Sequence, residues 1–206
     1  MRSRRTQWLK TVTHVAALTP LILLAWGYWR DSLGADPISV LTRRTGRAAI
    51  ILLLLSLTPT VVRTLSGFRG LLPLRRALGL YAFLYAALHF LVFTGLDYGF
   101  DVQFIWQAIR EGRRVLAGLV SGLLLIPLAL TSTNRSIERL GANWKRLHRL
   151  AYLASLLAVL HYVWTFKELR VAPLLAGGLL LLLFALRLPP MAQALARTRA
   201  KPPAAG

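Results

Sequence analysis

The stretch from Trp144 to Trp164, WKRLHRLAYLASLLAVLHYVW, carries no acidic residue, and beyond Arg149 it carries no Lys or Arg either. A helix of this composition is at home in hydrocarbon, entered here through a basic collar of Lys145, Arg146 and Arg149. His148 stands at its mouth and His161 well inside. The thirteen residues between them span about 20 Å of helix, roughly two-thirds of a hydrocarbon core, so one metal ion cannot be shared. An ionisable side chain inside a span is costly and points to function.

Apolar runs near this length recur through the 206 residues, and 56% of the chain is hydrophobic. The expected class is therefore an all-α polytopic membrane protein, a single transmembrane domain over 1–206. The formal charge of +19 raises the question of nucleic acid. The Lys and Arg residues sit in short connectors between apolar runs, which assigns them to topology and excludes a nucleic-acid partner. With no cysteine, disulfides and thiolate-held clusters are excluded, and seven acidic residues disfavour a carboxylate-rich metal site.

Six spans are expected: Thr11–Trp29, Arg47–Val62, Ala77–Leu96, Val115–Leu130, Trp144–Trp164 and Val171–Leu188. Trp26, Tyr28 and Trp29 form an interfacial belt, and no A-x-A-like site follows to suggest a cleaved signal. LGADP at 33–37 reads as a turn. Val102–Ile109 reads as a short helix on the membrane surface. Asn134 is expected to cap a short helix ending at Gly141, and Asn143 to cap the fifth span. With the N-terminus inside, the inner segments hold seventeen of the 26 Lys/Arg and the outer ones hold six of the seven acidic residues. That asymmetry predicts cytoplasmic N- and C-termini, with 189–206 a basic cytoplasmic tail.

Counting along the spans places the histidines. His89 lies thirteen residues beyond Arg76, and His161 thirteen beyond His148, in spans running the same way. His89 and His161 therefore share a level in the outer half of the membrane, where two facing imidazoles suit the axial positions of a haem. The alternative is two separate histidines, each bonded to a backbone carbonyl or hydroxyl. At the inner level His148 faces Arg75 and Arg76. These are either a snorkelling boundary cluster or a second cofactor site, with arginines holding haem propionates or a flavin phosphate. His14, one turn past Lys10, reads as structural or peripheral.

No phosphate-binding glycine loop, His-Glu-x-x-His or nucleophile elbow is present. Connectors near 18 residues are too short for a nicotinamide-binding domain, so any donor other than a lipid-soluble quinol is another protein. Two other readings remain open: a transporter relaying protons through buried histidines, and a self-standing ferric or quinone reductase.

The blocks WLKTVTHVAALTP, LGADP, RRALGLYAFLYAALHF, LALTSTNRSIERLGANWKRLHRLAYL and LHYVWTFK, in that order between about Trp8 and Lys167, carry a resemblance. The chain resembles the haem-binding membrane subunit of the periplasmic protein-methionine-sulfoxide reductase system, the MsrQ/YedZ family, which belongs with ferric-reductase-like transmembrane domains (here a core of about 47–166). The resemblance implies a bacterial inner-membrane protein that binds haem b, one or two, with FMN associated. It implies an electron-transfer subunit rather than a complete enzyme, taking electrons from the quinol pool or a cytoplasmic flavin reductase. Its partner would be a periplasmic molybdopterin enzyme that repairs oxidised methionine. The family's haem-associated histidines map onto His89, His148 and His161. Ferric reductases carry two histidines on each of two spans, and this chain has Arg76 where the fourth would stand. The inner site's occupant, second haem or flavin, stays open.

Overall fold

The computed structural model describes residues 4–166 and 170–188, and among them the only regular structure is helical. Nine α-helices follow in order: α1 Arg4–Trp29, α2 Pro37–Ser66, α3 Leu74–Leu91, α4 Val102–Glu111, α5 Arg113–Leu130, α6 Asn134–Leu140, α7 Ala142–Leu147, α8 Leu150–Trp164 and α9 Val171–Ala185. A π-helical turn, Val92–Asp97, begins three residues past His89 and continues α3. The basic tail 189–206 expected from the sequence lies outside the described residues, as do 167–169.

Four stretches are long and apolar enough to cross a membrane: Gln7–Trp29, Pro37–Ser66, Leu74–Asp97 and Arg113–Leu130. The other two apolar helices, α8 and α9, have 15 residues each, about 22 Å against a core of about 30 Å.

α2 is the spine. Its Leu52 and Leu53 pack with Ala17 of α1, Ala82 and Tyr85 of α3, Leu125 and Leu128 of α5 and Ala154 of α8. Its Ile50, Leu54, Leu57 and Val61 pack with Val159 of α8 and Leu180 and Leu183 of α9. Residues three and four apart share a helix face, so one helix serves two cores on neighbouring stripes. The most extensive helix pairs are α2 with α3 and α5 with α8. Buried hydroxyls join neighbouring helices: Tyr85 Oη of α3 donates to the Ala17 carbonyl of α1 at 2.7 Å, and Ser121 Oγ of α5 to the Ala154 carbonyl of α8 at 2.8 Å. Large apolar side chains such as Leu175 and Leu181 on α9, each 67% exposed, face outward, as lipid-facing residues do.

Three local expectations are corrected. The second span does not begin at Arg47: α2 starts at Pro37, with Asp36 accepting from the Ser39 amide and proline at the first position. Arg43 and Arg44, read as connector, and Arg47, read as the first residue of the span, lie on its exposed face. Thr133, not Asn134, caps α6; its extended backbone aims Oγ1 at the Ser136 amide. The Asn134 side chain instead accepts from Arg76 at 2.6 Å. Asn143 lies inside α7, and the chain turns at His148–Arg149 before α8 begins. The short helix expected over Val102–Ile109 is present as α4, capped by Asp101, with Phe104 and Trp106 exposed.

Candidate functional site: a histidine pair and a basic cavity

α3 and α8 bring His89 and His161 together, with ring centres 6.0 Å apart and planes rotated by 71°. His89 Nδ1 lies 2.9 Å from the Thr42 carbonyl, and His161 Nδ1 lies 2.7 Å from the Arg114 carbonyl. A carbonyl only accepts, so each Nδ1 carries the proton and each Nε2 is left as a lone-pair donor. This is how metal-binding imidazoles are held: the second nitrogen fixes tautomer and ring orientation.

Glycine makes the approach possible. A Cβ on Gly46 would stand 3.1 Å from the His89 ring, and one on Gly118 would stand 2.8 Å from His161 Nδ1. Each glycine lies four residues beyond the carbonyl that its histidine reaches, so carbonyl and notch share one helix face. The two halves match. Thr42 to His89 and Arg114 to His161 both span 47 residues. The second set follows the first at a constant offset of 72 (114 − 42, 118 − 46, 161 − 89). The hairpin α5–α8 thus repeats the hairpin α2–α3, and the same offset carries Arg76 onto His148.

The donor set can be tested against a haem. Among the described residues no three His, Cys, Asp or Glu side chains gather to hold a bare ion. A two-histidine site suits a macrocycle that brings its own four equatorial nitrogens. Two metal–nitrogen bonds of about 2.0 Å and ring offsets of about 1.1 Å would set the ring centres about 6.2 Å apart, close to the separation found. The residues fit the group.

At the other end of α3 and α8 a cavity of about 390 Å³ is lined by Lys10, Arg75, Arg76, Trp144, His148 and apolar side chains including Leu57. The three inner-level candidates therefore border one space. Their fixings differ from those of the pair. Arg75 Nη1 donates to Thr60 Oγ1 at 3.3 Å. His148 stacks on Trp144, with ring centres 3.9 Å apart, and its Nε2 lies 3.1 Å from Thr131 Oγ1. The Thr131 hydroxyl gives its proton to the Pro127 carbonyl at 2.6 Å, so it accepts from His148, and Nε2 carries the proton there. His14 stands apart from both sites, exposed on α1 and hydrogen-bonded to Tyr81 Oη at 2.8 Å.

Sequence reasoning missed Gly46, Gly118, Thr42 and Arg114. The carbonyls are backbone groups and leave no residue-type signal. The 72-residue offset does point to the glycines once the histidines are aligned.

A family model described as a ferric reductase like transmembrane component matches residues 45–159. A protein of Xanthomonas campestris pv. campestris (strain 8004), named protein-methionine-sulfoxide reductase heme-binding subunit MsrQ, is 45% identical over 182 residues, covering 84% of this chain and 83% of the relative. A Rhodospirillum rubrum protein of the same name is 44% identical over 177 residues, covering 85% of each.

Proposed function

The chain belongs to the MsrQ/YedZ family of heme-binding subunits of protein-methionine-sulfoxide reductase, within the ferric-reductase-like transmembrane proteins, and on that premise we propose that it is a haem b electron-transfer subunit of such a system. The observation that carries the reading is the His89–His161 pair, with both Nδ1 atoms tied to carbonyls and both Nε2 atoms left free. A haem held there supplies a one-electron carrier inside the membrane. The protein's part is to bind and orient it: Thr42 and Arg114 set the tautomers, Gly46 and Gly118 admit the rings, and the packed α2–α3 and α5–α8 hairpins fix their separation.

We further assign six spans in a bacterial inner membrane, with cytoplasmic termini. The Lys/Arg asymmetry of the connectors supports this assignment. In that orientation the basic cavity faces the cytoplasm, where a flavin reductase or quinol would act as donor. The pair lies toward the periplasm, where a molybdopterin-containing methionine sulfoxide reductase subunit would be the acceptor. The positive end favours an anionic or flavin-bearing donor by electrostatic steering. His148, Arg75 and Arg76 form the inner cofactor site, taking a second haem or FMN. Catalytic reduction of methionine sulfoxide belongs to the partner subunit.

The test is a reduced-minus-oxidised visible spectrum of the purified chain, with a haem-to-protein ratio. The proposal expects a red preparation with reducible b-type bands. A colourless one would support the proton-relay transporter instead. Reductase activity with no added protein would support a self-standing reductase. A reporter active only outside the membrane should work after Asp101 and fail after Gly70 or Gly141; the reverse pattern overturns the orientation.

A further inference from the structure

Arg187, just past α9, is a half-buried cation that the histidine sites do not use. Its Nη2 donates to the Leu57 carbonyl of α2, and its guanidinium carbon lies 5.1 Å over the Tyr152 ring. Its Nε and Nη1 are closed to solvent and have no hydrogen-bond acceptor. A guanidinium holds five N–H donors and keeps its charge at any working pH, so two donor atoms left unanswered in an apolar seam are an anomaly.

Two groups act on its charge from nearby: the Tyr152 hydroxyl, a polar side chain within reach, favours it, and Arg75 repels it. Arg75 is anchored on Thr60, three residues after Leu57, so two guanidiniums hang from one face of α2 a turn apart. Leu57 and Arg75 both line the basic cavity. Among the described residues no carboxylate answers them: Asp31, Asp36, Asp97, Asp101 and Glu111 lie in the segments at the His89–His161 end, and Glu138 is exposed on α6.

We propose that the seam of α2 and α9 is an anion site in which Arg187 and Arg75 together hold a phosphate or carboxylate group. Two sources share that chemistry: the acid group of the cofactor in the inner cavity, or the phosphate of an anionic lipid. The first source rests on the inner-site reading above; the second does not.

The experiment compares the full-length wild type with Arg187→Met and Arg187→Lys in mild detergent. It reads the melting temperature with added phosphatidylglycerol or phosphatidylcholine, together with haem and acid-released flavin per chain. A bound anion predicts that Arg187→Met melts at least ~3 °C lower, because an ion pair is broken. With a lipid as source, phosphatidylglycerol but not phosphatidylcholine raises the wild-type melting temperature, the variant loses that shift, and cofactor content holds. With the cofactor as source, flavin or the second haem falls at least threefold while neither lipid shifts melting. Arg187→Lys keeps the charge without the fork and should fall between; if the Met variant does not accumulate, unchanged lipid shift and cofactor content in the Lys variant overturn the site. An Arg187→Met protein that melts higher, with cofactor and lipid response unchanged, also overturns it, since an unpaired half-buried cation only destabilises. Absence of b-type bands in the wild type would sink the proposed function and leave the lipid arm standing.

Discussion

At one end of α3 and α8 the side chains close on each other; at the other they stand back around a cavity. His89 and His161 carry the proton on Nδ1, each is backed by a glycine, and each keeps Nε2 free. His148 carries it on Nε2, given to Thr131, and leans on a tryptophan instead of a backbone notch. Where the repeat puts a second histidine opposite it, the chain has Arg76, bonded to Asn134. The repeat therefore carries histidine at both positions at one end and at only one position at the other. The first end is organised around two nitrogen lone pairs, the second around cationic donors. Charge-assisted contacts suit an acid-bearing ligand there, whereas the closed pair suits a neutral axial role.

The comparison breaks most sharply at the pair itself. His89→Ala and His161→Ala should each abolish the same b-type bands, since one ligand alone cannot give the bis-histidine spectrum. His148→Ala should leave those bands intact, lying about 20 Å away along the helices. Full bis-histidine bands in either of the first two variants would end the pairing.

The glycine notches come next. Gly118→Ala places a methyl 2.8 Å from His161 Nδ1, and Gly46→Ala places one 3.1 Å from the His89 ring. Overpacking of this kind costs about 1–3 kcal/mol. Both should lower haem retention and melting temperature, Gly118→Ala more than Gly46→Ala. The same exchange at Gly122 or Gly178, where an added Cβ meets nothing within 4 Å, should be harmless and is the matched control.

At the cavity, Arg75→Gln with Arg76→Gln should reduce inner cofactor retention about tenfold, which corresponds to about 1.4 kcal/mol, and leave the outer bands unchanged. Lysine at both positions keeps charge but loses the bidentate fork, so retention should recover only in part. Equal retention in all three proteins, measured as cofactor per chain, would reduce the arginines to orientation charges.

The depth match of His89 with His161 was legible because both spans enter at basic residues and helical rise is constant. Thirteen residues from Arg76 and from His148 reach one level, and the rings meet there. The start of α2 was not legible, because Arg43 and Arg44 imitate a connector. A helix that outruns the hydrocarbon can carry arginines on its exposed face, and only the Asp36–Pro37 cap betrays its true beginning. Asn134 misled for a related reason: Thr133 beside it has the same capping chemistry, and the choice was decided by Arg76, 58 residues away in sequence. The unanswered donors of Arg187 were beyond any pattern, since they depend on what α2 and α9 leave out of reach.

The smallest expected effect concerns the proton of His148. Thr131 Oγ1 gives its hydrogen to Pro127 and accepts from His148, while the Trp144 indole donates to the Thr131 carbonyl at 2.9 Å. Thr131→Ala removes only the hydroxyl; the carbonyl that holds Trp144 remains, so the stacked ring keeps its place. Losing one such hydrogen bond costs about 1 kcal/mol of stability. The same change frees Nε2. If the inner group is a haem ligated by His148, the wild-type ring must give up Thr131 to bind it, and the variant need not. Thr131→Ala should then retain the second haem about fivefold better, about 1 kcal/mol, with the outer bands unmoved. If the inner group is FMN, the variant should hold no more haem, and its flavin content should stay the same or fall slightly with the lost contact. Titrating haem into the cofactor-stripped protein, wild type against variant, separates the two and decides whether the single-histidine end of the repeat is a haem site.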